Sequence, residues 1–330
     1  MLLSVKDLRT YFFTDEGTVK AVDGVDFEIE KGTTLGVVGE SGCGKSVTAR
    51  SIMRLLPKTG RIVSGEILFN LNGQTVDIAK LPKEEMRKIR GRHIAMIFQE
   101  PMAAFSPVHT VGDQITEAMM FHFGISKEEA MQKAIETLRR VGIPKPEQMI
   151  NAYPFEYSGG MRQRAMIAMA ISCNPDLLIA DEPTTALDVT IQAQVLELLR
   201  ELQRDYNMAI MMITHNMGVI AEMADHVVVM YLGKILESAP VEELFYNPKH
   251  PYTMLLLRSI PVVGKRVERL EVIKGDVPDP RNMPKGCRFH PRCPYLMRDL
   301  CDQKEPPTVE VSKDHKVSCF LYGGERDGAS

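Results

Sequence analysis

The sequence predicts an α/β fold, a mostly parallel sheet flanked by helices and built around a phosphate-binding loop. Three observations predict it. From the N-terminus to about Leu257, short β-branched runs alternate with helical patterns, the signature of parallel strands joined by helices. An apolar run (residues 35–38) feeds GESGCGKS (residues 39–46), which opens the helical pattern SVTARSIMRLL. A second apolar run, within PDLLIADEP (residues 175–183), delivers the adjacent carboxylates Asp181 and Glu182 to a strand end.

Buried strands are expected at residues 35–38, 94–98, 177–180, 210–213 and 227–230. Each except the last ends at a residue able to do phosphate or metal chemistry. In open α/β sheets ligands gather outside the carboxyl ends of the strands. Between Pro101 and Tyr157 the strand signal disappears. There SKEEAMQKAIETLRRVG (residues 126–142) carries apolar residues at helical spacing behind a capping-box start, Ser126 with Glu129, so an inserted helical subdomain is expected over about residues 101–158. Beyond Arg258 prolines crowd a stretch with little periodicity, and a boundary is expected near residue 259: a domain over 1–258 and an extension over 259–330.

With 330 residues, 44% of them hydrophobic, the chain can bury a full core. No stretch approaches the roughly 20 apolar residues of a membrane helix, and MLLSVKD lacks the basic start and apolar core of a signal peptide. A cytosolic setting is expected, with any membrane association arising through a protein partner. A net charge of −3 gives no footprint for nucleic acid. In a reducing compartment the isolated Cys43 and Cys173 are expected to remain free thiols.

In the loop, Gly39, Gly42 and Gly44 let the backbone curl so that several N–H groups face one phosphate, with the helix N-terminus adding its positive end. Lys45 is placed to reach the β- and γ-phosphates, and the Ser46 hydroxyl to ligate Mg²⁺. Cys43 has electropositive surroundings that favour a thiolate; the competing reading is a tolerated small residue. Asp181 suits Mg²⁺, held through water, and Glu182 suits a base that orients the attacking water. YSGGMRQRAMIAMAI (residues 157–171) puts Ser158, Gly159 and Gly160 ahead of a helix, a second anion-binding terminus, and TTALD (residues 184–188) follows the acidic pair.

Together these motifs resemble the ATP-binding subunits of ATP-binding-cassette (ABC) transporters, over the whole chain. The resemblance implies a P-loop NTPase of ABC type, with a RecA-like core sheet, an antiparallel β subdomain and an inserted helical subdomain. It implies that Phe12, or in another register Tyr11, stacks on adenine. Gly39, Ser41, Gly42, Cys43, Gly44, Lys45, Ser46 and Val47 form Walker A. Gln99 in IFQEP is the Q-loop glutamine that contacts Mg²⁺ and couples to the membrane subunit. Ser158 and Gly160 belong to the signature, where Tyr157 and Met161 depart from the LSGGQ pattern. Asp181 and Glu182 match Walker B and the catalytic base, Asp188 the D-loop, and His215 in ITHN the switch histidine.

In this family the signature of one subunit closes on the ATP of another. The resemblance thus implies a dimer with an identical or paralogous ATPase subunit, docked on two transmembrane permease subunits at the cytoplasmic face of the membrane. An external peptide-binding protein is implied indirectly. NPKHPYTMLLLRSIP (residues 247–261), followed by GCRFHPRCPY, resembles the C-terminal extension of dipeptide and oligopeptide transporter ATPases. The function implied is ATP hydrolysis powering peptide import. A soluble ABC ATPase working on ribosomes or DNA is the alternative, although such proteins usually carry tandem cassettes or a coiled-coil insertion. A non-catalytic binding subunit sits poorly with intact Glu182 and His215.

Cys287, Cys293, Cys301 and Cys319 are spaced C-x₅-C-x₇-C-x₁₇-C. Disulfides conflict with the cytosolic setting. Zinc usually shows short paired spacings, absent here. A [4Fe–4S] cluster accepts irregular Cys₄ spacing, and members of the resembled branch carry one. Four unliganded thiols, and His290 as a substitute ligand, remain open. The role expected of a metal here is structural, ordering a segment with little core of its own.

Overall fold

The computed structural model describes residues 1–185, 187–259 and 273–323. Among them the strands are β1 (Leu3–Thr14), β2 (Gly17–Ile29), β3 (Thr34–Val38), β4 (Gly60–Leu71), β5 (Gln74–Asp77), β6 (Ile94–Ile97), β7 (Leu177–Asp181), β8 (Ala209–Ile213), β9 (His226–Tyr231), β10 (Lys234–Pro240), β11 (Thr308–Ser312) and β12 (His315–Ser318). These residues divide into two compact units. The first takes Met1–Leu3, Ile29–Thr34 and Phe69–Ile213. The second takes Ser4–Glu28, Leu35–Leu68 and the described residues from Thr214 onward.

In the first unit β6, β7 and β8 run parallel, with Ile97 opposite Ala180 and Asp181 opposite Ile213. Every residue of these strands is buried, which is why they read IAMI, LLIAD and AIMMI without polar alternation. Between β6 and β7 the described elements are all helical, including Val111–Phe123, Lys127–Arg140 and Gly159–Ile171. The sequence writes the starts of these helices. Thr110 and Ser126 accept the N–H of Asp113 and Glu129, and Ser158 that of Met161, each cap worth about 1 kcal/mol. Ala130, Ala134 and Leu138, four residues apart, form the buried stripe of Lys127–Arg140.

In the second unit β1 and β2 are neighbours joined by a two-residue turn, hence antiparallel, and β4 lies on the other side of β1. β3 pairs in parallel with β9 (Leu35 opposite His226), and β9 turns back into antiparallel β10. That turn is Leu232 and Gly233, both at positive φ, as a tight hairpin requires.

The C-terminal segment departs from expectation. It is not irregular throughout: β12 adds antiparallel to β10 (Glu237 opposite Val317), and β11 adds to β12. Its core is shared with the residues before position 259 rather than its own. Phe289 is fully buried, its ring centroid 5.3 Å from Tyr231 and 5.2 Å from Tyr252, so described residues on both sides of position 259 share one cluster. Arg288 pairs with Asp23, both almost fully buried, and also donates to Leu232 O. TVEVS and HKVS lack the unbroken apolar run that marks β6, β7 and β8, and a single aromatic among prolines gives no pattern. Residues 260–272, which adjoin the expected boundary, and Ala186 of TTALD lie outside the described residues.

Candidate functional site

The expected site residues fall into two groups, one in each unit. In the second unit the loop after β3 needs its glycines. Gly39, Gly42 and Gly44 all have positive φ. A Cβ on Gly39 would come within 2.1 Å of Met230 O, and one on Gly44 within 2.3 Å of Ala21 O. Gly44 caps the helix Lys45–Ile52, on whose first turn Lys45, Ser46 and Val47 lie, while Ser41 and Gly42 are exposed. Lys45 is 6% exposed, and its Nζ donates to Gly39 O at 2.7 Å and Glu40 O at 3.0 Å. The ammonium is thus drawn across the curled loop, tied to carbonyls that a phosphate oxygen can replace as partners.

Cys43 is buried, and burial pushes its thiol pKa up even though Lys45 pulls the other way. Of the two sequence readings of Cys43 the lowered thiol pKa does not hold, because desolvation outweighs the lysine charge.

Tyr11 and Phe12 are distinguished by their partners. Tyr11 donates its hydroxyl to Asp23 Oδ1 at 2.6 Å. Phe12 is half-buried against Gly60, where a Cβ would approach its ring to 2.9 Å. His215 is exposed two residues beyond β8, between Thr214, whose hydroxyl accepts the Asn216 N–H, and Asn216, which caps the helix Met217–Met223.

The first unit holds the acidic group. β7 carries Asp181, 3% exposed, to its end, and Glu182 follows with φ of 50°. Such a backbone is uncommon for a non-glycine residue and turns the chain sharply off the strand. Because β6 and β7 are parallel and in register, Gln99, two residues past β6, meets Glu182. Gln99 Nε2 donates to Glu182 Oε2 at 2.9 Å, and Thr185 Oγ1 donates to the same oxygen at 2.8 Å. Sequence reasoning missed Thr185; the only signal was its place in TTALD. Two donors on one carboxylate oxygen fix its direction, as a group that must orient a water requires.

Ser158 and Gly159 are exposed at the start of Gly159–Ile171, where Ser158 is engaged as the helix cap, and Gly160 follows. A Cβ on Gly159 would meet nothing within 4 Å, and one on Gly160 would crowd Ile191 at 3.3 Å. The departure at Tyr157 has a packing reason: the ring is 2% exposed and its hydroxyl donates to Met149 O at 2.6 Å. Gln163 ties this helix to the turn after Glu182 by donating to Pro183 O at 2.5 Å. Asp188 caps the helix Val189–Tyr206 by accepting the Ile191 N–H.

None of the six cysteines is in a disulfide. Cys287, Cys301 and Cys319 are buried, Cys293 is partly so, and Cys287 N–H donates to Cys301 O at 2.8 Å. Burial, reinforced by the other three cysteines, pushes Cys287 up to about 12, and burial, with Cys293 and Cys301, pushes Cys319 up to about 11. The four are therefore neighbours. Yet among the described residues no three His, Cys, Asp or Glu side chains are arranged to hold a metal ion, so the metal-binding character expected of this segment is not shown. His290 turns its Nδ1 to Cys287 O at 2.9 Å.

The chain matches two family models, ABC transporter over residues 22–185 and Oligopeptide/dipeptide transporter, C-terminal region, over residues 236–301. It is 51% identical over 329 residues to the oligopeptide transport ATP-binding protein AppD of Bacillus subtilis (strain 168), covering 99% of this chain and 98% of that one. It is 49% identical over 321 residues to the dipeptide transport ATP-binding protein DppD of the same organism, covering 97% and 94%. Among solved structures, the dimeric bacterial ABC transporter cassette MJ0796 is 25% identical with a TM-score of 0.64, covering 73% of this chain and 99% of that one.

Proposed function

The chain belongs to the ATP-binding subunits of oligopeptide/dipeptide ABC transporters, and from that premise we propose that it hydrolyses Mg²⁺-ATP with the residues described above and so powers peptide import. Gln99 and Thr185 hold the Glu182 carboxylate as the base that orients water, Asp181 and Ser46 serve Mg²⁺, and Lys45 leaves its loop carbonyls for the β- and γ-phosphates. Phe12 carries the adenine and His215 meets the γ-phosphate. The observation that carries this reading is the Gln99–Glu182 hydrogen bond, which joins a coupling residue to the base at adjacent strand ends.

We place the protein at the cytoplasmic face, peripheral to two permease subunits, with Ser158 and Gly160 closing on the ATP of a second ATPase subunit. An external binding protein delivers the peptide. None of the described helices is long and apolar enough to cross a membrane, in keeping with a docked subunit. Deleting the gene and measuring uptake of labelled di- and oligopeptides tests the function: uptake should be lost and restored by the wild-type gene but not by Glu182→Gln. Undiminished uptake in the deletion strain overturns it.

We infer further that Cys287, Cys293, Cys301 and Cys319 hold a [4Fe–4S] cluster, with Zn²⁺ the alternative. Neutral, mutually opposed thiols become ligands when a cation stabilises the thiolates. A single zinc ion demands convergent sulfurs at about 2.3 Å, whereas a four-iron cluster spans more widely separated cysteines. The irregular C-x₅-C-x₇-C-x₁₇-C spacing is what favours the cluster over zinc. The cluster's contribution is to tie residues 287, 293, 301 and 319 together.

A further inference from the structure

Glu40, the second residue of GESGCGKS, places a carboxylate in a loop whose amides are meant for a triphosphate. Left alone, that charge opposes the ligand. It is not left alone. Arg292, 252 positions later, meets it with both arms of the guanidinium: Nη1 to Oε2 at 2.6 Å and Nη2 to Oε1 at 3.1 Å. The Arg292 side chain is only 5% exposed, and that of Glu40 25%. The arginine is itself fixed. It donates to Tyr231 Oη at 3.3 Å and to Lys274 O at 3.2 Å, and its guanidinium carbon lies 5.9 Å from the Tyr231 ring centroid.

The backbone of Glu40 is held from the same side. Its N–H donates to Tyr252 Oη at 2.9 Å, while its carbonyl accepts from Lys45. Tyr252 and Tyr231 pack on Phe289, so the segment bearing the cysteines also supports these two tyrosines. Every one of these contacts lies within the second unit.

We propose that Arg292 is a positioning residue for ATP that acts through Glu40: its bidentate pair neutralises the phosphate loop's own carboxylate, which would otherwise repel the phosphates. A planar fork suits this task because it fixes direction as well as charge. The device gives the C-terminal segment a direct bearing on nucleotide affinity.

The proposal rests on residues 39–46 being the phosphate site, and the test separates the two. Binding of ATP with Mg²⁺ to the full-length chain is measured by titration calorimetry for the wild type, Lys45→Ala, Arg292→Gln, Glu40→Gln and the double variant Glu40→Gln/Arg292→Gln. Arg292→Gln should weaken ATP about tenfold, the scale of one uncompensated charge beside the phosphates, and raise KM with kcat unchanged. Glu40→Gln should bind at least as tightly as the wild type, and the double variant should return to within about threefold of it. A merely structural pair would weaken ATP in both single variants. Wild-type affinity in Arg292→Gln, loss of affinity in Glu40→Gln, or a double variant as weak as Arg292→Gln each overturns the proposal. Should Arg292→Gln fail to fold, Glu40→Gln decides by its sign, since the partly exposed loop residue tolerates an amide. If Lys45→Ala binds ATP normally, the phosphate site itself is misassigned.

Discussion

Gln99 Nε2 and Glu182 Oε2 are 2.9 Å apart, although 83 residues separate them in the chain. Their meeting follows from strand register. β6 and β7 run parallel with Ile97 opposite Ala180, so Gln99, two residues past Ile97, stands beside Glu182, two residues past Ala180. Removing the amide should loosen the carboxylate without touching the phosphate loop. Gln99→Ala is expected to lower kcat about 10- to 100-fold with ATP affinity within about threefold of the wild type, as measured by steady-state turnover and calorimetry.

Gly39 tests the loop. Its φ of 152° and the 2.1 Å approach of a Cβ to Met230 O leave no room for alanine. The β9 backbone that supplies this oxygen lies in a buried strand and cannot retreat cheaply. Gly39→Ala should therefore abolish measurable ATP binding or unfold the loop, whereas Gly42→Ala, whose Cβ meets nothing within 4 Å, should cost only about 1 kcal/mol for its φ. Equal effects of the two substitutions would contradict this account.

Acid sensitivity is expected from His250. Burial holds its pKa down at about 3, its Nδ1 accepts the Tyr252 N–H, and its Nε2 has no hydrogen-bond partner among the described residues. The folded protein keeps this ring neutral while the unfolded chain takes up a proton near its ordinary pKa of about 6.5. Between those values the unfolded state binds more protons, so stability is full above about pH 6.5 and falls as the pH drops, by about 2 kcal/mol at pH 5. Urea unfolding at pH 5 and 7 should show that loss, and His250→Asn, which keeps a capping acceptor, should reduce it.

The cysteines give a spectroscopic prediction. Protein purified without oxygen should be brown, with a broad band near about 400 nm that chelation or oxidation bleaches. Bleaching should also lower the thermal midpoint, because a cluster held at these four cysteines would tie distant positions of the segment together. A colourless protein with stoichiometric zinc would establish the alternative.

Much of the site was legible because its chemistry is local. GESGCGKS, the run ending in Asp181 and Glu182, and the SGG helix start are each contiguous, and the first two sit at the ends of strands whose unbroken apolar runs are visible. Helix starts were legible for the same reason, since a cap such as Ser126 lies three residues from the N–H it accepts. Contacts that close across hundreds of residues left no trace. Nothing in GCRFHPRC marks Arg292 as the partner of Glu40, and a charge among cysteines and prolines reads as solvated. Strands β11 and β12 escaped because TVEVS and HKVS lack the unbroken apolar run that marks β6, β7 and β8. Phe289 was hidden as well, for a lone aromatic shows its neighbours only after folding.

Glu182 is proposed to activate the water that hydrolyses ATP. Glu182→Gln keeps an acceptor oxygen for Gln99 and Thr185 while removing the basicity. The most direct measurement follows ATP turnover and subunit association of this variant together. Turnover should fall by at least about 100-fold, ATP should still bind, and an ATP-dependent dimer should accumulate. Turnover at the wild-type rate, with no trapped dimer, would contradict the account.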